Sequence, residues 1–246
     1  MEWYRELYDD FRQRTGFGGL APERTRRDVD FILDVCALTP GDKVLDLCAG
    51  TGRHSIELAL RGVRVVAVEL NEGYVELAQR RAAAASVRPT FVLGDVRGVS
   101  FDDDFDAAIL MWNSFGYFSD DENRTLLAKT RAALKPGARF VLEVLNRDFL
   151  LAHFEARSET TISGVWVVEE RYFDHQTNRM RSFITRHHDA HREQRRTDWR
   201  LYSLHELKSL GEDVGLDLVA SYGDLAKTPA DNDTRLLRLV YSRPSH

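Results

Sequence analysis

The chain has 246 residues, 43% hydrophobic and 30% charged, a globular composition that excludes fibrous, collagen-like and disordered classes. Its 34 basic and 39 acidic side chains leave a net charge of −5, so no broad cationic field exists to hold nucleic acid, and a small-molecule substrate is expected. No run of roughly 18 apolar residues occurs, and Met1–Asp10 alternates acids with aromatics where a signal peptide would be apolar, so a cytoplasmic protein without a membrane partner is expected.

The first segment carries Tyr4, Tyr8, Phe11 and Phe17, which suit either core packing or a lid over a site. Ala21 to Leu38 sets Val29, Ile32, Leu33 and Cys36 on one helical face, with Pro22 near the start and Pro40-Gly41 beyond the end. The period then changes. Lys43–Leu47, Arg64–Glu69, Thr90–Leu93, Phe105–Met111 and Arg139–Val144 are short, β-branched, apolar runs of the kind buried in parallel sheets. Helical stretches Ser55–Arg61, Glu72–Ala85 and Asp120–Leu134 separate them, the last stopped by Lys135-Pro136-Gly137. This alternation implies right-handed crossovers and an α/β, doubly wound, mostly parallel sheet that binds ligands at the carboxyl ends of its strands.

After Asn146 the pattern changes to extended runs at Val165–Phe173, Met180–His187 and Arg195–Tyr202, an antiparallel β insertion after the fifth strand. A helix at Leu204–Val214 and strands at Leu216–Ser221 and Arg235–Tyr241 bring the sheet to seven. The expected organisation is a lid and first helix over 1–40, a Rossmann-like domain over 41–157 and 203–246, and the insertion over 158–202 as acceptor pocket or dimer contact. Cys36 and Cys48 match no zinc or CxxC spacing, which points to a reduced, intracellular chain. His187, His188 and His191 lack a ligand-like pattern, so no metal is expected.

The first strand runs into Asp46-Leu47-Cys48-Ala49-Gly50-Thr51-Gly52-Arg53-His54 and then a helix. Two glycines at such a turn let backbone approach a ligand, a weak signal alone. Glu69 ends the second strand 19 residues after Gly50, where an acid can bind a ribose diol. A nicotinamide dinucleotide would want a third glycine where Ser55 stands and no acid at Asp46, because its pyrophosphate sits on the helix N-terminus. Asp46 suits a cationic ligand instead. Gly94-Asp95 adds an acid after the third strand, able to accept from an adenine amino group.

VLDLCAGTGRHS (Val44–Ser55), VVAVELNEGYVELAQRRA (Val65–Ala82), GDVR (Gly94–Arg97), FDAAILMWNSFGYF (Phe105–Phe118) and LKPGARFVLEVLN (Leu134–Asn146) together resemble class I S-adenosylmethionine-dependent methyltransferases. The likeness is to the small-molecule branch. Glu23-Arg24-Thr25 and Asn113-Ser114-Phe115 are similar to segments of glycine N-methyltransferase-like enzymes. The resemblance implies S-adenosylmethionine as cofactor and S-adenosylhomocysteine as product. It implies that Asp46, Ala49, Gly50 and Gly52 line the methionyl part, Glu69 binds the ribose, and Leu70 packs on the adenine. Asp95 and Val96 would meet the adenine edge, Asn113 would close over the methionine moiety, and Arg24 would pair with its carboxylate.

The expected reaction is in-line methyl transfer to an oxygen or nitrogen of a small acceptor, dominated by proximity and orientation. Should a general base be used, the candidates are His54, Tyr8 and Tyr117. Trp112-Asn113-Ser114-Phe115 stands where enzymes that methylate exocyclic base amines carry a PPY-type tetrapeptide, which argues against nucleic acid as acceptor. A homodimer is an expected partner state. The alternatives are a nicotinamide-dependent oxidoreductase and a catalytically silent S-adenosylmethionine-binding module.

Overall fold

The strands that the sequence marks as apolar on both sides are covered on both sides. In the computed structural model, which describes residues 2–15, 20–101, 104–188 and 191–245, α1 (Trp3–Leu7), α2 (Asp10–Thr15) and α3 (Pro22–Cys36) precede a repeating strand–helix unit. That unit runs β1 (Lys43–Leu47), α4 (Arg53–Leu60), β2 (Arg64–Glu69), α5 (Glu72–Ala84), β3 (Thr90–Leu93), β4 (Phe105–Leu110), α6 (Asp120–Ala133) and β5 (Leu134–Leu145). Phe17 and the side chain of His188 lie outside the described residues.

The sheet order is β10-β11-β5-β4-β1-β2-β3, where β10 (Asp217–Tyr222) and β11 (Leu236–Ser242) close the chain. The first five strands are parallel, while β11 runs antiparallel to both β5 and β10. The expected doubly wound, seven-stranded sheet is what forms. One face packs Val44, Ala67, Ile109 and Val141 against Val29 and Ile32 of α3 and Leu58 of α4. The other packs Leu45, Leu110, Phe140 and Leu142 against Leu126 and Leu127 of α6. Cβ atoms alternate along a strand, so one apolar run supplies both cores.

Local signals set the helix starts. Ser119 and Glu122 form a capping box on α6, and Ser203 and Glu206 form another on α8 (Leu204–Asp213). Lys135-Pro136-Gly137 does not stop α6 as expected: the helix ends at Ala133 and β5 starts at once. The register of β5 on β4 jumps from Phe105↔Leu134 to Ala107↔Arg139, so the proline stands in a bulge that needs no ladder donor.

After α7 (Arg147–Ala152), the insertion is a four-stranded antiparallel sheet of β6 (Arg157–Ile162), β7 (Val165–Asp174), β8 (Arg179–His188) and β9 (His191–Arg200). The sequence reading contained neither β6 nor the short helices α1, α2 and α7. The end of β9 is fastened to the loop after β4: the Arg200 N–H donates to the Gly116 carbonyl at 2.7 Å. Gly116 has φ of +94°, and a Cβ there would come within 2.2 Å of the Arg200 carbonyl oxygen, so only glycine allows this approach. The insertion is thereby held beside the carboxyl ends of the sheet. Among the described residues no helix is long and apolar enough to cross a membrane.

Candidate active site

Strands β1, β2 and β3 step outward in one direction and β4 returns to the other side of β1, so the switch point lies between β1 and β4. Doubly wound sheets bind ligands at the carboxyl ends there. A cavity of about 360 Å³ opens at this place. Its wall takes Asp46, Cys48, Ala49 and Gly50 from the end of β1, Glu69 and Leu70 from β2, Asp95 and Val96 from beyond β3, and Trp112 and Tyr117 from beyond β4. Tyr4, Arg5 and Tyr8 of the N-terminal segment, together with His54 and Arg53, complete it.

Two wall residues, Cys48 and Trp112, hold positive φ of 58° and 62°, and Asn113 beside them holds 58°, a conformation that costs non-glycine residues energy. The β1 loop is stitched to β2 by the Ala49 N–H donating to the Val68 carbonyl. Glu69 completes the stitch. One carboxylate oxygen accepts from the Gly50 N–H and the other from the Asn71 N–H, each at 2.8 Å.

Asp46 lies beneath, 1% exposed, accepting from the Ser55 hydroxyl at 2.5 Å. Burial pushes its carboxyl up to about 7, with only partial relief from Ser55 and Arg53. Burial raises Glu69 as well, against the pull of the backbone N–H groups of Asn71, Gly50 and Leu70. A buried and a half-buried carboxylate facing one cavity favour a cation and hydroxyl donors over an anion. Ser55, at the place of a dinucleotide fingerprint's third glycine, is instead the partner of Asp46.

His54 is buried at the start of α4, and burial, then Arg53, lowers it to about 4, so the ring is neutral at physiological pH. Its Nε2 stands 3.4 Å from Asp28, which burial opposes in its charged form but which His54 and Arg53 hold well below the usual carboxylate range. Facing that carboxylate, Nε2 carries the proton, leaving Nδ1 as the basic nitrogen. Tyr8 and Tyr117 share a short hydroxyl–hydroxyl hydrogen bond. Burial raises both phenols, Tyr117 well above its ordinary value, so both keep their protons at neutral pH.

The N-terminal lid is built from aromatic packing. Trp3 stacks on Trp199 of β9 at 6.0 Å and meets Tyr117 edge-on at 4.9 Å. Arg97 latches it: its guanidinium reaches Asp95, Glu122, Glu2 and the Tyr4 hydroxyl, and it lies 4.5 Å over the Phe118 ring. Arg186 of β8 holds Asp9 at 2.6 Å, tying the lid to the insertion.

Ten of the thirteen residues singled out from the sequence line this cavity; Arg24, Gly52 and Asn113 do not. The Arg24 guanidinium donates to Asp28 at 3.0 Å and borders a separate depression with Arg27 and Arg238. Gly52 starts α4 at φ of +73° with its hydrogen against Ala78 and Phe91, where a Cβ would meet each at 2.9 Å, so it serves helix packing. Asn113 pins β5: its N–H donates to the Glu143 carbonyl and its Oδ1 accepts from the Leu145 N–H. Arg53, Cys48, Trp112 and Tyr74 are wall residues that the sequence reading missed. Arg53 directly follows the second glycine, the one signal that pointed to it.

A parallel sheet closed by a reversed β11, with acids at successive strand ends around its switch point, is a fold that this chain shares with solved S-adenosylmethionine-dependent methyltransferases. Residues 44–137 match the family model described as "Methyltransferase domain". A solved S-adenosylmethionine-dependent methyltransferase from Clostridium acetobutylicum superposes with a TM-score of 0.81 at 15% identity, covering 98% of this chain and 99% of that one. Demethylmenaquinone methyltransferase of Clavibacter sepedonicus is 43% identical over 42% of this chain and 40% of its own length. Mouse glycine N-methyltransferase is 28% identical over 45% of this chain and 42% of its own length. The chain thus spans less than half the length of these curated relatives.

Proposed function

We propose that the protein transfers the methyl group of S-adenosylmethionine to a nitrogen or oxygen of a small-molecule acceptor, with S-adenosylhomocysteine as product. The observation that carries this reading is the pair of carboxylates, Asp46 buried and Glu69 half-buried, at the switch-point cavity beneath an aromatic lid. In this proposal the bound cofactor supplies an electrophilic methyl group on a sulfonium. Glu69 accepts the ribose hydroxyls, Leu70 and Val96 flank the adenine, and Asp95 accepts from its amino group. Asp46 favours the cationic methionyl end over an anionic ligand. Arg53, whose Nη2 is buried without a hydrogen-bond partner, takes the carboxylate in place of Arg24.

Tyr8, Tyr117 and Trp3 exclude water and hold the acceptor in line, the contribution that matters most for methyl transfer. Of the three candidate bases only His54 has an unprotonated basic nitrogen at neutral pH, Nδ1, and lowered to about 4 it is too weak to deprotonate an ammonium. An amine acceptor therefore needs to arrive uncharged. The lid over 1–40 and the insertion over 158–202 select the acceptor, while 41–157 with 203–246 hold the cofactor. A cytoplasmic setting and a homodimer belong to the same proposal.

The test is turnover of S-adenosylmethionine labelled in its methyl group against a panel of small amines, phenols and hydroxy compounds. Label should appear in an acceptor with one S-adenosylhomocysteine formed per methyl. Cofactor binding without label transfer across the panel would support the silent-module reading instead. Because both phenols stay protonated, Tyr117→Phe should keep the shape of the wild-type pH–rate profile between pH 6 and 9. A limb lost only in the variant would make Tyr117 the base.

A further inference from the structure

The insertion sheet turns one face to the lid core through Trp199 and Ile184, and its other face carries large exposed aromatic groups: Trp166, stacked on the neighbouring His187 at 4.4 Å, is 43% exposed, Phe183 46% and Tyr172 61%. Monomeric surfaces seldom gather such groups on one flat patch, and this patch lies on strands of ten residues. We propose that this face is the contact surface of an isologous dimer, with a second copy of the chain as its occupant.

The registers of the outer face supply the argument. Across β7, β8 and β9 the rows read Trp166–His187–Arg192, Glu170–Phe183–Arg196 and Tyr172–Arg181–Asp198. Phe183 therefore sits centrally, with an acid on one side and a base on the other. A twofold axis lying in the interface parallel to the strands, beneath β8, exchanges β7 with β9. That operation puts Phe183 on its own copy and likewise Arg181, whose charge is met within its own sheet by Asp174 and Asp198. It also sets Glu170 against the partner's Arg196, Trp166 against the partner's Arg192, and Tyr172 against the partner's Asp198, an ion pair, a cation–π pair and a hydrogen bond. A twofold axis at right angles to the strands through Phe183 would instead set Glu170 on the partner's Glu170 and Arg196 on the partner's Arg196, with no ion pair across the interface.

On β6, Glu159 is already bonded to Arg157 at 2.8 Å, so β6 stays at the rim. Three overlapped strands of ten residues span roughly 14 Å by 33 Å, or close to 1,000 Å² for both partners, the range of a modest, reversible dimer.

Sedimentation equilibrium of the full chain between about 1 and 100 µM tests this. A monomer–dimer equilibrium with a micromolar Kd is expected, and Phe183→Asp should weaken it at least about tenfold. Glu170→Arg and Arg196→Glu should each be monomeric, yet their mixture should form a heterodimer, because one ion pair is then native and the other is restored in reversed sense. Melting curves and S-adenosylhomocysteine affinity, which these surface changes should leave unaltered, report on folding. A wild-type monomer at about 100 µM, a dimer indifferent to Phe183→Asp, or no rescue on mixing would overturn the proposal. So would flotation of a monomer with anionic vesicles that Phe183→Asp abolishes, which would assign the face to a lipid surface.

Discussion

Glu69→Ala is expected to weaken S-adenosylmethionine binding at least about tenfold, measured by calorimetry, with little change in overall fold. Each hydrogen bond from a ribose hydroxyl to an ionised acceptor is worth roughly 1.5–3 kcal/mol, and 1.4 kcal/mol is a factor of ten. The same carboxylate holds the Gly50 and Asn71 N–H groups, so its removal also loosens the loop over which the cofactor is proposed to lie. Glu69→Gln separates these effects. Its amide keeps one acceptor oxygen but loses the charge, and affinity should fall between the wild-type and alanine values. Unchanged affinity in Glu69→Ala would mean that the ribose does not bind at the end of β2.

Asp46→Asn is expected to act in opposite directions on stability and on binding. The folded carboxyl, at about 7, lies above its ordinary value of 3.8. Such a group favours folding below pH 3.8, and that advantage is lost as pH rises through about 7, leaving the ligand-free wild type burdened by a buried charge above it. The asparagine variant should therefore melt higher than wild type at pH 8, by roughly 5 °C or more, and the difference should vanish toward pH 4. Cofactor affinity moves the other way. A cationic ligand draws Asp46 into its ionised form, so wild-type affinity should rise about tenfold from pH 6 to pH 8 and then level. Asp46→Asn should bind more weakly and show no such rise. An equal pH dependence in the variant would place the titrating group elsewhere.

The strands around the site were legible because each is a short apolar run buried on both faces: β1, β2 and β3 begin and end where the sequence reading puts them. The strand β6, Arg-Ser-Glu-Thr-Thr-Ile, is an exposed edge whose polar side chains carry no burial signal. The helices α1 and α2 are too short for a hydrophobic period, and α1 is fixed by tertiary packing of Trp3, Tyr4 and Leu7. Loop positions separate the site residues that line the cavity from those that do not. Glu69 and Asp46 stand on strand ends, where the direction of the side chain follows from the pleat. Asn113 is the second of two consecutive left-handed residues, after Trp112, and no pattern in the sequence reports which way its amide turns. Arg24 sits a turn from Asp28, and the i, i+4 ion pair on α3 takes it away from the cavity. Arg53 follows the glycine loop on the side of the cavity, the position from which it is proposed to play the role expected of Arg24.

The central claim is that this cavity is built for S-adenosylmethionine and its product. Calorimetric titration of the purified chain with S-adenosylhomocysteine, and separately with NAD, tests it most directly. The account predicts saturable binding of S-adenosylhomocysteine at one site per chain and no measurable binding of NAD. Tight NAD binding with no heat from S-adenosylhomocysteine would contradict it.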